Sequence, residues 1–329
     1  MPDTIVRIDP WNPDRELIAR AAVTLSEGGL VAFPTETVYG LGGNGLDPEA
    51  ARRIYRAKGR PSENPLILHV ASPAEADSLA DITPNAEKLI EHFWPGPLTI
   101  VLHSKAIVPL TVRGGLETVA IRMPAHPVAL ALIEKAGFPI AAPSANRSGR
   151  PSPTDAKSVF EDLGGSVDLI LDGGATRYGV ESTVIDVTGN DVVLLRPGGM
   201  SVEDLISVVG SVSSPDGEHV LKRSPGTRFR HYAPGIPLLT WREGEEIRFA
   251  GDEHGKKRRV ISYMGMRRFP EETLRSIYFE DPENYARGLF SAMRELERSG
   301  AEVIIAEWPE VEGVGRAIQD RLRRASGGH

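Results

Sequence analysis

Several segments of the chain gather hydroxyls, carboxamides and cations at spacings suited to holding a polar or anionic small molecule. The first, FPTETVYGLG at 33–42, runs from an apolar strand into threonines, a carboxylate and glycines, and such strand ends are where sites are commonly built. Gly40, Gly42 and Gly45 match the G-x-G-x-x-G spacing. Asp47, however, caps the helix that follows, and its carboxylate would stand where a pyrophosphate should bind, so a dinucleotide site is rejected. Two readings remain: a ligand-binding strand end, and a glycine-rich turn whose threonines satisfy backbone groups.

The second segment, KGRPSENPL at 58–66, leads into His69. Lys58 and Arg60, stiffened by Gly59, Pro61 and Pro65, can present two cations to a polyphosphate, with Asn64 close by. Taken alone, Lys58 reads equally as a helix-terminal base complementing the dipole. His69 is out of phase with Leu66, Leu68 and Val70 and faces the other side of its strand, where a lone histidine is more often a hydrogen-bonded structural group than a base or ligand. No histidine pair has the H-E-x-x-H spacing of a zinc site, so no protein-bound zinc is expected.

In TVAIRMP at 118–124, Arg122 closes an apolar strand, where a guanidinium is costly to bury without a carboxylate or phosphate partner. Ser144 and Asn146 of APSAN at 142–146, with Ser152 beyond, offer neutral groups among prolines, suited to a ribose, base or phosphate or to plain turns. ESTV at 181–184 and RPG at 196–198 fall on hairpin strands that can line one cleft. The strip SPGTRFRHYAP at 224–234, with His231 and Tyr232, reads either as a docking strip or as a lid over an anionic ligand.

These groups need a scaffold, and the patterning supplies one. Apolar residues from Leu17 to Leu25 recur at helical spacing, Asp47-Pro48 starts a second helix ending at Gly59, and Thr83-Pro84 starts a third running to Trp94. Strands are expected at 30–33, 65–70, 98–102, 119–122, 140–142, 169–171, 183–187 and 192–195, the last two joined by a turn at Gly189-Asn190. Strands outnumber helices, which predicts an α/β domain over 1–209 with a twisted mixed sheet and flanking helices. Residues 210–237, rich in Ser, Gly and Pro, read as a linker, and 238–329 as a smaller Rossmann-like α/β domain with a parallel sheet.

The 329 residues suffice for two cores, and the absence of cysteine excludes disulfides, thiolate zinc and a cysteine nucleophile and fits a reducing, cytoplasmic setting. No export signal or membrane span is expected. A net charge of −7 makes broad nucleic-acid affinity an unlikely principal property, and an RNA-binding module is the weaker competing reading.

Order and spacing together, FPTETVYGLG, KGRPSENPL, TVAIRMP, APSAN, ESTV, RPG and SPGTRFRHYAP, resemble the two-domain L-threonylcarbamoyl-adenylate synthases over essentially the whole chain. The resemblance implies a YrdC-like catalytic domain and a nucleotidyltransferase that makes threonylcarbamoyl-AMP and pyrophosphate from L-threonine, bicarbonate and ATP, feeding the machinery that modifies tRNA. It places Thr37, His69, Arg122, Ala142 (through its backbone) and Ser182 around threonine. It places Arg60, Asn64, Thr118, Ser144, Ser152, Arg196 and Tyr232 on ATP, with Lys58 and Arg60 neutralising charge and Mg2+ arriving on the ATP phosphates. Direct, stable tRNA binding is left open. A related carbamoyl-adenylate family of hydrogenase maturation carries cysteine-rich zinc modules, which a chain without cysteine lacks.

Overall fold

The structure, a computed structural model, describes residues 4–215, 231–247 and 259–327. Residues 224–230 of the strip read as a lid lie outside the described residues. Contacts divide the chain into two compact units, Met1–Ser148 with Ser152–Phe229, and Gly149–Pro151 with Arg230–His329.

The first unit begins with β1 (Ile5–Arg7), α1 (Arg15–Ser26), β2 (Val31–Phe33), β3 (Gly40–Asn44), α2 (Pro48–Lys58), β4 (Ile67–His69), α3 (Pro73–Leu79), α4 (Pro84–Phe93) and β5 (Leu98–His103). It continues with β6 (Thr118–Arg122), α5 (Pro127–Ala136), β7 (Ile140–Ala141), α6 (Ala156–Leu163), β8 (Leu169–Asp172), β9 (Thr183–Asp186), β10 (Val193–Arg196) and α7 (Val202–Val209). Its ten strands form one sheet in the order β1-β8-β2-β3-β7-β4-β6-β5-β9-β10. The sheet is mixed, as expected: β4 and β6 run parallel, whereas β5 and β7 run antiparallel to them.

Helix boundaries follow local chemistry. Asp14 caps α1 by accepting from the amides of Glu16 and Leu17, and Asp47 caps α2 by accepting from Glu49, with Pro48 in the first turn. Gly59 ends α2 with φ 60°, a left-handed conformation that costs an L-residue about 1 kcal/mol or more. Alternation along the strands sends Leu30, Ala32, Leu66 and Leu68 into one core, and Val31, Phe33 and Ile140 into another.

The segment 40–44 forms a strand, β3, where the sequence suggested a turn. Glycine has little intrinsic strand preference, so packing decides: a Cβ on Gly42 would lie 2.8 Å from a ring carbon of Phe33 and 2.9 Å from a methyl of Ile140. Gly42 lets the neighbouring strands close up around it. β1 was also not expected; it is a short edge strand pairing with β8.

The second unit contains β11 (Leu238–Trp241), β12 (Ile261–Gly265), β13 (Arg275–Tyr278), α8 (Pro282–Arg298), β14 (Val303–Glu307) and α9 (Gly315–Ser326). Its sheet, in the order β11-β14-β12-β13, is parallel throughout, the expected Rossmann-like arrangement. Tyr285, Leu289, Phe290 and Met293 of α8 are buried at its core. Within this unit Arg150 and Glu297 form a bidentate pair at 2.8 and 2.9 Å.

Two glycine substitutions separate the two uses of the residue. Gly42→Ala is expected to cost roughly 1–3 kcal/mol through overpacking, and Gly59→Ala about 1 kcal/mol through its backbone conformation alone. Urea unfolding of both variants checks this; a Gly42→Ala variant as stable as wild type would contradict the close-packing account.

Candidate active site

The central parallel pair β4 and β6 sets the geometry. In its register His69 is the strand neighbour of Arg122, so both stand at the carboxyl end of the pair. Thr118 begins β6, four residues from Arg122 and therefore roughly 13 Å away. Asn64 precedes β4, toward that same amino end. The strand pair thus separates the residues expected to hold threonine from two of those expected to hold ATP.

Arg122 is 4 % exposed. Its Nη1 donates to Thr37 Oγ1 at 2.9 Å, its Nε donates to the Gly96 carbonyl at 3.2 Å, and its Nη2 lies 2.7 Å from Glu36 Oε1. The anion partner that a buried guanidinium requires is therefore Glu36, from the first segment, which sequence reasoning did not select. Thr35 shapes that segment: its hydroxyl donates to the Val38 carbonyl at 2.7 Å and accepts from the amides of Thr37 and Val38. Thr35 thus satisfies the backbone of the turn, and the Thr37 hydroxyl, 2.9 Å from Thr35 Oγ1, also accepts from Arg122.

His69 is buried, and among the described residues its Nδ1 has no hydrogen-bond partner. Burial, reinforced by the Arg122 charge, lowers its pKa to about 3, so the imidazole is neutral at physiological pH. The Ala142 amide donates to the Ile67 carbonyl at 2.9 Å and is thereby engaged within the sheet.

A second cluster surrounds the end of α2. The Lys58 ammonium, 2 % exposed at the residue level, donates to the carbonyls of Ser144 and Asn146, and the Asn146 side-chain oxygen lies 3.5 Å away. Burial, with the Arg60 charge added, pushes the Lys58 pKa well below the ordinary lysine range. Lys58 thereby pins the 144–146 loop. Arg60 donates to Asn64 Oδ1 at 2.6 Å and to the Pro65 carbonyl at 2.9 Å, while the buried Asn64 Nδ2 has no partner among the described residues. Arg60 is half-buried and braces its own loop.

The third cluster lies where β9 and β10 meet. Ser182 Oγ is 2.8 Å from Thr99 Oγ1, and Arg196, 4 % exposed, donates to Ser182 Oγ at 3.2 Å and to its carbonyl at 2.9 Å. The Ser152 hydroxyl donates to Glu181 Oε1. A Cβ on Gly198 would lie 2.3 Å from the Glu181 carbonyl oxygen, so the RPG segment needs glycine for the chain to pass this backbone. Glu181 and Thr99 went unselected; the adjacency of Glu181 to Ser182 was the available signal for the first, and nothing in the sequence singled out Thr99.

Tyr232 belongs to the second unit. It is buried at φ 65°, stacks on Phe290 with ring centres 5.4 Å apart, and lies 5.1 Å from the Arg321 guanidinium. Its expected contact with a nucleotide rests on the resemblance alone. Among the described residues, no group of three or more His, Asp or Glu is placed to hold a metal ion.

An α/β sheet that gathers cations, amides and hydroxyls at strand ends and adjoining loops has the make-up of a site for a polar or anionic small molecule. The Sua5, YciO and YrdC family model, described as telomere recombination, matches residues 23–198, and the threonylcarbamoyl-AMP synthase C-terminal domain matches residues 200–327. The chain is 48 % identical to the threonylcarbamoyl-AMP synthase of Pyrococcus abyssi over 98 % of this chain and 96 % of that protein. It is 44 % identical to the Bacillus subtilis enzyme of the same name over 94 % and 93 %. The crystal structure of P. abyssi Sua5 complexed with L-threonine superposes with a TM-score of 0.89 at 44 % identity, covering 98 % of this chain and 97 % of that one. The chain belongs to the Sua5 family of threonylcarbamoyl-AMP synthases.

The depressed pKa of His69 carries a pH signature. Between about 3 and the ordinary 6.5, the unfolded chain binds a proton at this position that the folded chain does not, so stability falls as pH drops through that window. His69→Gln is expected to flatten the acid limb of a plot of urea midpoint against pH over this range; limbs parallel to wild type would contradict the assignment.

Proposed function

We propose that this chain condenses L-threonine, bicarbonate and ATP to L-threonylcarbamoyl-AMP and pyrophosphate, supplying the enzyme that modifies adenosine in tRNA. The observation that carries the reading is the buried Arg122, anchored through Thr37 and Gly96 beside a neutral His69, in a chain whose P. abyssi relative is solved with L-threonine. A guanidinium held this way suits an amino-acid carboxylate. Thr37, His69, the Ala142 backbone and Ser182 complete the proposed threonine subsite. Arg60, Asn64, Thr118, Ser144, Ser152 and Arg196 form the proposed ATP subsite, in which Asn64 brings an amide lacking a partner among the described residues.

The reaction needs no protein nucleophile. The amine nitrogen of threonine bonds to the carbon of bicarbonate, and water leaves. An oxygen of the resulting carbamate then attacks the α-phosphorus in line, and the bond to the bridging oxygen breaks with the electron pair departing on pyrophosphate. Arg60 and Arg196 offset the charge that grows on the phosphates, and Lys58 holds the Ser144–Asn146 loop against the nucleotide. The cationic and neutral donor set fits a nucleotide that brings its own Mg2+, whose contribution when bound is to neutralise phosphate charge. No helix among the described residues is long and apolar enough to cross a membrane.

Pyrophosphate release, measured with each substrate omitted in turn, tests the assignment. All three are expected to be required, and full-rate release without threonine or bicarbonate would overturn it. Arg60→Ala is expected to lower turnover about 100-fold and to cost about 1 kcal/mol of stability from its lost loop contacts; wild-type turnover by the folded variant would remove Arg60 from the site.

A further inference from the structure

Glu36 is 5 % exposed and sits 2.7 Å from Arg122 Nη2, yet among the described residues neither of its oxygens, nor that nitrogen, has an aligned hydrogen bond, although all three atoms are shielded from solvent. The remaining guanidinium groups are committed, Nη1 to Thr37 and Nε to Gly96. Arg122 therefore keeps a fixed plane, while the contact with Glu36 is a close charge pair whose hydrogen-bonding capacity is unmet. Unpaired buried polar atoms are costly and rare. Their presence beside the unpartnered Nδ1 of His69, on the neighbouring strand position, marks a place where a polar ligand completes the bonding.

The charge pattern specifies that ligand. A carboxylate approaching Arg122 also approaches Glu36, and in a dry site two like charges repel strongly. At the first binding step, before the amine is deprotonated and carboxylated, a molecule carrying only a carboxylate is opposed by Glu36; one that carries a cation beside its carboxylate is not. His126, whose pKa burial pushes down although the Glu36 charge opposes the shift, offers Glu36 little positive charge at neutral pH. We propose that Glu36 is a specificity-determining residue, which makes the Arg122 pocket select a zwitterionic α-amino acid over the corresponding hydroxy acid. This rests on the reading of Arg122 as the group that binds the threonine carboxylate. No proton transfer is assigned to Glu36; its effect is on recognition.

Calorimetric titration of the full chain with L-threonine, and with the analogue whose amino group is replaced by hydroxyl, tests the proposal. Wild type is expected to bind threonine at least about tenfold more tightly than the analogue. Glu36→Gln, which keeps the shape and removes the charge, is expected to bring the two affinities within about threefold, with ATP affinity unchanged, whereas Glu36→Asp retains the preference. Equal affinities in wild type would overturn the proposal without recourse to any variant, as would a folded Glu36→Gln protein that keeps the wild-type ratio. Arg122→Gln separates the two levels of inference. If it weakens both ligands together, the carboxylate reading stands and Glu36 is judged on the ratio. If threonine affinity survives, the reading of Arg122 fails and the proposal for Glu36 fails with it.

Discussion

A guanidinium buried at the end of a β-strand constrains the rest of the catalytic unit. Arg122 cannot remain charged in a dry interior without opposing charge and hydrogen-bond acceptors, and both must arrive from segments distant in sequence. Glu36 and Thr37 come from the loop after β2, and the Gly96 carbonyl from the turn before β5. That requirement explains why the 33–39 loop is internally braced by Thr35 and why its backbone is tied again to the 178–179 segment, through Tyr178 to the Glu36 carbonyl and Gly179 to the Thr37 carbonyl. A loop that moved would strand a charge, so the site is built before the ligand arrives. Preorganisation of this kind is what electrostatic catalysis depends on.

The sheet order serves the same end. β4 and β6 lie adjacent and parallel, so the residues at their carboxyl ends share a side without any turn to connect them. β7 enters antiparallel on the other edge of β4 and delivers the 142–146 loop, which Lys58 then fastens from α2. β3 holds this assembly to β2, and its glycines allow an approach that any side chain would block.

Much of this was legible in the sequence, and the exceptions share a cause. The starts of α2 and α4 follow from Asp47 and Thr83, because capping is local chemistry, whereas the Asp14 cap of α1 was not picked out. The opposite facing of His69 and Leu68 follows from strand alternation. The need of Arg122 for an anion was legible, while the identity of that anion was not, since the pairing is made by topology between residues far apart in the chain. β3 escaped for the same reason: glycine's local preference points to a turn, and only Phe33 and Ile140, packed against it, make the segment a strand. Lys58 illustrates a different limit. Its position beside Arg60 suggested a phosphate contact, and the burial that turns its ammonium to the Ser144 and Asn146 carbonyls becomes visible only when the loop is in place.

The disposition of the cations also weighs between the two functional classes that the composition left open. A surface that binds a nucleic-acid backbone must offer its charges to solvent, where they displace counterions along an extended polyanion. Here Lys58, Arg122 and Arg196 are each at most 4 % exposed, and Arg60 is braced against Asn64 and Pro65. Positive charge placed so deep acts over a few ångströms on whatever enters, and the acidic balance of the whole chain opposes a polyanion outside. Cations placed this way lack the exposure to solvent that an extended polyanion requires. The same burial that makes each cation expensive to keep also strengthens its action on any charge brought close to it, because little water is there to screen it.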